Sequence, residues 1–158
     1  MSINHFVIIT SAINTVHGAF DPDTRLLQTL NTIQSVYDNI PNVKIAIVES
    51  SGQPMEKNII DKLHKITSCI IDMSNDTTLK YIHDNTENWD IVKNLCELLS
   101  FNSALKMLED NNQFEGIDRI HKLSGRYVVN EDFKPEVYEE FSDKIIVPQR
   151  IKTQFPKK

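Results

Sequence analysis

Hydrophobic and polar positions along this chain follow two alternating periods. Residues 5–10 are apolar almost without interruption, which suits a strand covered on both faces. Asp21-Pro22-Asp23-Thr24 then marks a helix start, an aspartate cap with proline in the first turn. Leu26, Leu27, Leu30, Ile33, Val36 and Tyr37 follow at helical spacing until Pro41-Asn42 ends the unit. Residues 43–48 form a second β-branched run. Gly52 and Pro54 lead into a helix with Ile59, Leu63 and Ile66 as its buried stripe, and residues 69–73 give a short third strand.

The polar stretch 74–88 is expected to hold a short helix near 78–83. Residues 89–109 predict the longest helix, burying Ile91, Leu95, Leu98, Leu105 and Leu108 on one side. A fourth strand region covers 117–129 and is broken at Ser124-Gly125. A short helix at 135–141 and a last strand at 144–147 complete the pattern. Strand–helix alternation of this kind predicts an α/β fold of three layers, a mostly parallel sheet with helices on both faces, Rossmann-like. Residues 1–149 read as one domain and 150–158 as a basic tail.

Composition narrows the function classes. The chain has 158 residues, 40% hydrophobic and 25% charged, as one globular domain requires. A net charge of −5 argues against a general nucleic-acid binder, so no nucleic-acid partner is expected. No window approaches the roughly 20 apolar residues of a membrane span. The apolar run 6–9 is too short for a signal peptide, and no Lys or Arg precedes it. Cys69 and Cys96 sit in apolar contexts, which favours reduced thiols and a cytoplasmic location.

In open parallel sheets ligands bind beyond the carboxyl ends of the strands. Those ends carry Thr10-Ser11-Ala12, Glu49-Ser50-Ser51 and residues 72–76, and Ser124-Gly125-Arg126 interrupts the fourth strand. Glu49 can accept from a ribose hydroxyl or a base N–H, or it can cap the following turn or face water. Lys122 and Arg126 suit a diphosphate, Arg126 through a bidentate fork, and the glycine lets backbone approach something closely. Alternatively Arg126 pairs with Glu131 or Asp132. Asn102 falls on the predicted apolar stripe of the long helix. A buried amide there needs partners, either the loop after strand four or a bound nucleotide.

Several chemistries lack their motifs. Neither GxGxxG nor GxxxxGK[ST] occurs, and Thr10-Ser11-Ala12-Ile13-Asn14 has no glycine for a dinucleotide or methyl-donor cofactor. No GxSxG supports a hydrolase triad. The five histidines form no HExxH, Asp21-x-Asp23 is sufficiently explained as a helix cap, and Asp72 with Asp76 more often starts turns than holds a cation. No metal ligand is assigned.

Taken in order, Thr10-Ser11, Glu49-Ser50-Ser51, Phe101-Asn102-Ser103-Ala104 and Lys122-Leu123-Ser124-Gly125-Arg126-Tyr127 resemble GT-A glycosyltransferases. More narrowly, Arg25-Leu26-Leu27-Gln28-Thr29 through Thr32-Ile33, followed by Ile47-Val48-Glu49, is similar to small glycosyltransferase-like proteins of phages and large viruses, which implies a host cytoplasm. The likeness spans residues 5–133. It implies a UDP- or GDP-linked nucleotide sugar bound by Thr10, Ser11, Glu49, Ser50, Asn102, Lys122, Ser124, Gly125 and Arg126, and transfer of the sugar to an acceptor. GT-A enzymes place an Asp-x-Asp for Mn²⁺ or Mg²⁺ where Ser124-Gly125-Arg126 stands. That acidic pair is missing here, so Lys122 and Arg126 are expected to supply the counter-charge, independent of metal. The acceptor-binding half usual in the family is also missing, which implies truncation, completion by another subunit, or lost activity. The alternative is a non-catalytic α/β binding or assembly module acting through a protein partner or as a homo-oligomer.

Overall fold

The structure, a computed structural model, describes residues 3–15, 19–141 and 144–146. Its elements run β1 (His5–Ser11), α1 (Pro22–Asn39), β2 (Val43–Glu49), α2 (Lys57–His64), β3 (Cys69–Asp72), α3 (Thr77–Asn85), α4 (Trp89–Asp110), β4 (Arg119–Ser124) and a 3-10 turn at Pro135–Phe141. The four strands form one sheet in the order β3-β2-β1-β4, every pair parallel. The expected α/β architecture is therefore present, with helices on both faces.

Each strand's alternation explains the layers. Phe6 and Ile8 of β1, with Ala46 and Val48 of β2, point to one face and pack with Leu79, Ile82, Val92, Cys96, Ala104 and Leu108 of α3 and α4. Val7 and Ile9, with Ile45 and Ile47, point to the other and meet Ile33, Val36 and Leu63 of α1 and α2. All seven β1 residues are buried, which is why that run shows no polar alternation. The chain steps from β1 to β2 to β3 beneath α1 and α2, then reverses past both strands to β4 over the opposite face. Reversing direction and face together keeps one hand for every crossover.

Asp21 caps α1, accepting from Thr24 N at 2.8 Å and Thr24 Oγ1 at 2.9 Å. Those bonds, the backbone one foremost, hold its carboxyl below the usual aspartate value. Asp76 caps α3 through Thr78 N and Leu79 N, and Asp72 accepts from Ser74 N at 2.9 Å. The acids read as turn formers or cation ligands are turn formers and caps.

Three expectations need correction. The side of α4 turned to the sheet is Val92, Cys96, Ser100, Ala104 and Leu108, every fourth residue. Ile91 and Leu98 are 50% and 64% exposed, and Asn102 faces outward. Small residues such as Ser100 and Ala104 let the helix lie close on the sheet, so packing distance outweighed side-chain hydrophobicity. Second, Ser124-Gly125 ends β4 instead of interrupting it. Gly125 N donates to Thr10 O at 2.8 Å, the chain turns through Tyr127 N to Ser124 O, and Tyr127 and Val128 lie exposed. Third, residues 144–146 are not in a strand, and Ile145 is 95% exposed. An apolar triplet becomes a strand only where a sheet edge receives it. Residue 147 and the 150–158 tail lie outside the described residues.

Cys69 and Cys96 are both free thiols, and burial pushes each thiol's pKa up. Among the described residues no helix is long and apolar enough to cross a membrane.

Candidate functional site

The strand order reverses at β1, which pairs with β2 on one side and β4 on the other, and a crevice opens beyond the carboxyl ends of these strands. A cavity of about 220 Å³ lies there. Thr10, Ser11, Ser50, Ser124, Gly125 and Arg126 all line it, six of the nine residues the sequence pointed to. Glu49, Lys122 and Asn102 do not, each for a different reason.

Glu49 is sealed beneath the floor, with no exposed surface. Its carboxylate accepts from Ser11 Oγ at 2.7 Å, Ile13 N at 3.0 Å and Ser51 N at 3.2 Å. Burial pushes its carboxyl pKa up, while the hydrogen bonds from Ser51, Ser11 and Ile13 pull it down, and burial prevails. A base or ribose cannot reach it. Its work is to join the loop after β1 to the loop after β2, fixing Ser11 and Ser50 at the cavity edge. Ser50 N reinforces that join, donating to Ser11 O at 3.0 Å.

Lys122 points to the α4 face and forms an ion pair with Glu97. Thr10 Oγ1 donates to the same Glu97 oxygen at 3.0 Å. Burial alone would raise the Glu97 carboxyl, but the Lys122 bond and charge, the Thr10 hydroxyl and the Arg126 charge together hold it below its ordinary value. The cation expected to meet a ligand is thus neutralised by the protein itself. Asn102 is exposed on α4, beyond the cavity-lining Trp89–Glu97 stretch, and makes no part of the lining.

Gly125 has its role in packing. A Cβ there would sit 3.1 Å from Thr29 Oγ1 and 3.3 Å from Thr10 O. What the glycine lets approach is α1 itself, and that approach delivers Arg126 to the cavity. Arg25, one turn before Thr29 on the same helix face, also lines the cavity. Its guanidinium lies over the Phe20 ring at 5.3 Å. Burial lowers its pKa, and the neighbouring charge of Arg126 lowers it further.

His83 and Trp89 also line the cavity. His83 rests on Gly52, whose φ of +76° makes the turn and whose missing Cβ leaves room for the ring; a Cβ would lie 3.0 Å from it. Three buried polar atoms lack a partner among the described residues and belong to the cavity lining: Thr15 Oγ1, Arg25 Nε and His83 Nε2. Such atoms are uncommon in a finished interior, because each costs roughly 1–3 kcal/mol.

Among the described residues the lining leaves one uncommitted acid for Mn²⁺ or Mg²⁺. Of the lining acids, Glu97 is committed to Lys122 and Thr10, and Asp90 stands on an exposed position of α4. Among the described residues no three His, Cys, Asp or Glu side chains gather into a group that could hold a metal ion by itself.

Glu97, His83 and Trp89 were not singled out in the sequence, and Arg25 stood there only as part of the Arg25–Thr29 likeness and not as a site residue. Arg25 carried a signal, the i,i+4 relation to Thr29 on a helix leaving β1. Glu97 carried none, since its partner Lys122 is 25 residues away on another element. Comparison with family models, curated proteins and solved structures gives no match for this chain.

Proposed function

We propose that the crevice binds a UDP- or GDP-linked sugar and that the protein is a glycosyltransferase-like enzyme passing the sugar to an acceptor. The observation that supports this reading is one cavity at the switch point whose lining brings Arg25 and Arg126 together with the hydroxyl-bearing residues at the ends of β1, β2 and β4. The lining combines the His83 ring with the positive charge of Arg25 and Arg126. Hydroxyls of Ser11, Thr15, Thr29, Ser50 and Ser124 between them suit a polyhydroxylated molecule. Transfer breaks the sugar C1–O bond to the diphosphate and forms a C1–O bond to an acceptor hydroxyl, which gives up its proton. Calorimetric titration with UDP-glucose, UDP-galactose and GDP-mannose tests the binding. A dissociation constant in the micromolar range is expected for one of them, and uniformly millimolar binding rejects the reading.

A second reading, an assembly module, is favoured by one observation. Ile91, Leu95 and Leu98 leave an exposed apolar stripe along α4. That reading expects a homodimer by light scattering and a monomer after Leu98→Glu, a change at a surface position that leaves the core intact. A wild-type chain that stays monomeric at high micromolar concentration eliminates it.

A further inference from the structure

We infer that Arg25 and Arg126 form a clamp for a diphosphate group that needs no divalent cation. The inference deepens the reading above and rests on it for the identity of the physiological ligand. Its basis is where two helix turns and one strand end are pinned.

Gly125 lies against Thr29, close enough that a Cβ would be 3.1 Å from the threonine hydroxyl. Arg126 follows Gly125, and Arg25 precedes Thr29 by one helical turn. The contact therefore brings two guanidiniums to the same rim of the cavity, and both residues line it. The charge of Arg126 is felt at Arg25, in agreement with that placement. Two like charges held together are unfavourable unless something between them is negative. Among the described residues no acid fills that role for Arg25: its Nε is buried without a partner, and its charged plane lies on the Phe20 ring. The charge of Arg126 helps lower the Glu97 carboxyl, but that carboxylate is already bound by Lys122 and Thr10.

A diphosphate answers this arrangement closely. It carries several negative oxygens over a short span, and two forked guanidiniums can take them in paired hydrogen bonds. Divalent metals do the same work in other phosphate sites by bridging oxygens. Of the two acids on the lining Glu97 is held by Lys122 and Thr10, which leaves Asp90 alone for such an ion, so the guanidiniums carry that charge.

The test uses the full chain and inorganic pyrophosphate as probe, beside UDP and UDP-sugars, in buffer containing EDTA. Pyrophosphate is expected to bind without metal, and added Mn²⁺ to change its affinity by less than about twofold. Arg126→Ala, at an exposed position, is expected to weaken binding roughly tenfold or more, as loss of charge-assisted hydrogen bonds does. Arg126→Lys keeps the charge but not the fork, and is expected to fall between. Arg25→Lys serves in the same way on the buried side, with thermal unfolding confirming that the variant is folded. Binding that requires Mn²⁺, or that is indifferent to both arginines, overturns the clamp; nucleotide sugars binding under those circumstances would leave the proposed function standing. Pyrophosphate binding that depends on the arginines, without binding of any nucleotide sugar, supports the clamp and removes the proposed function. Failure of every probe to bind overturns both.

Discussion

Glu49→Ala is expected to cost about 3–5 kcal/mol of folding stability, a loss that few single substitutions reach. The reason lies in what the carboxylate leaves behind. Ile13 N and Ser51 N are backbone donors that cannot be removed with it, and Ser11 Oγ loses its acceptor as well. Each buried donor left unpaired costs roughly 1–3 kcal/mol, and the vacated volume adds to the sum. Glu49→Gln keeps one acceptor oxygen and is expected to lose less. Urea denaturation of the three proteins measures the difference, and a loss below about 1 kcal/mol for alanine would refute the argument. The pH dependence has a definite sign. Burial holds the folded carboxyl above the ordinary value of 4.5, so the native protein keeps a proton there that the unfolded chain releases. This group's contribution therefore declines as pH rises from about 4.5 toward the folded value. Glu49→Gln should abolish that decline.

Acid acts oppositely through the histidine pair beneath the start of the sheet. His5 Nδ1 lies 3.0 Å from His121 Nε2, and one proton between them makes one hydrogen bond. A second proton puts two donors face to face. His5 is buried, and His121 also packs edge-on against Phe133. Burial first, then the charges of His5 and Arg119, lowers His121 from 6.5 to about 4. His5 is lowered by burial and by Arg119, against smaller opposing effects of Asp118 and Glu136. As pH falls below 6.5 the unfolded chain gains protons that the native pair resists, His121 until about 4, so stability is lost across that window. For His121 the loss amounts to about 2–3 kcal/mol after allowance for its partial exposure to solvent. A steep fall in melting temperature between pH 6.5 and 4 is expected, and His121→Gln should flatten it. An unchanged slope in that variant would show that other groups govern the acid limb.

Much of the architecture was legible because the central strands are covered on both faces. Residues 5–10 and 43–48 had to be apolar throughout, and uninterrupted runs are the easiest pattern to read. Asp21-Pro22 announced α1 through chemistry that acts within four residues. The long helix was misread because its sheet-facing line holds a cysteine, a serine and an alanine, which rank low by hydrophobicity yet pack closest. Spacing of small residues by four, at Cys96, Ser100 and Ala104, was the available signal. At the site, strand ends were found from topology, and side-chain duties were not. Whether Glu49 looks into the crevice or beneath it depends on which loop atoms donate to it. Whether Lys122 is available depends on a helix far along the chain. Gly125 was recognised as a place of close approach, although its neighbour proved to be Thr29 and not a ligand.

The order of the strands links occupancy of the crevice to the integrity of the sheet. Among the described residues β4 is laddered along one margin alone, to β1, and its other margin is the rim of the sheet. A molecule gripped between Arg126 and Arg25 would span from that marginal strand to the first helix, so filling the crevice and fastening the rim become coupled equilibria. Fraying of β4 would discharge the ligand while the β1–β2–β3 interior stayed intact, making the outermost strand a latch on release.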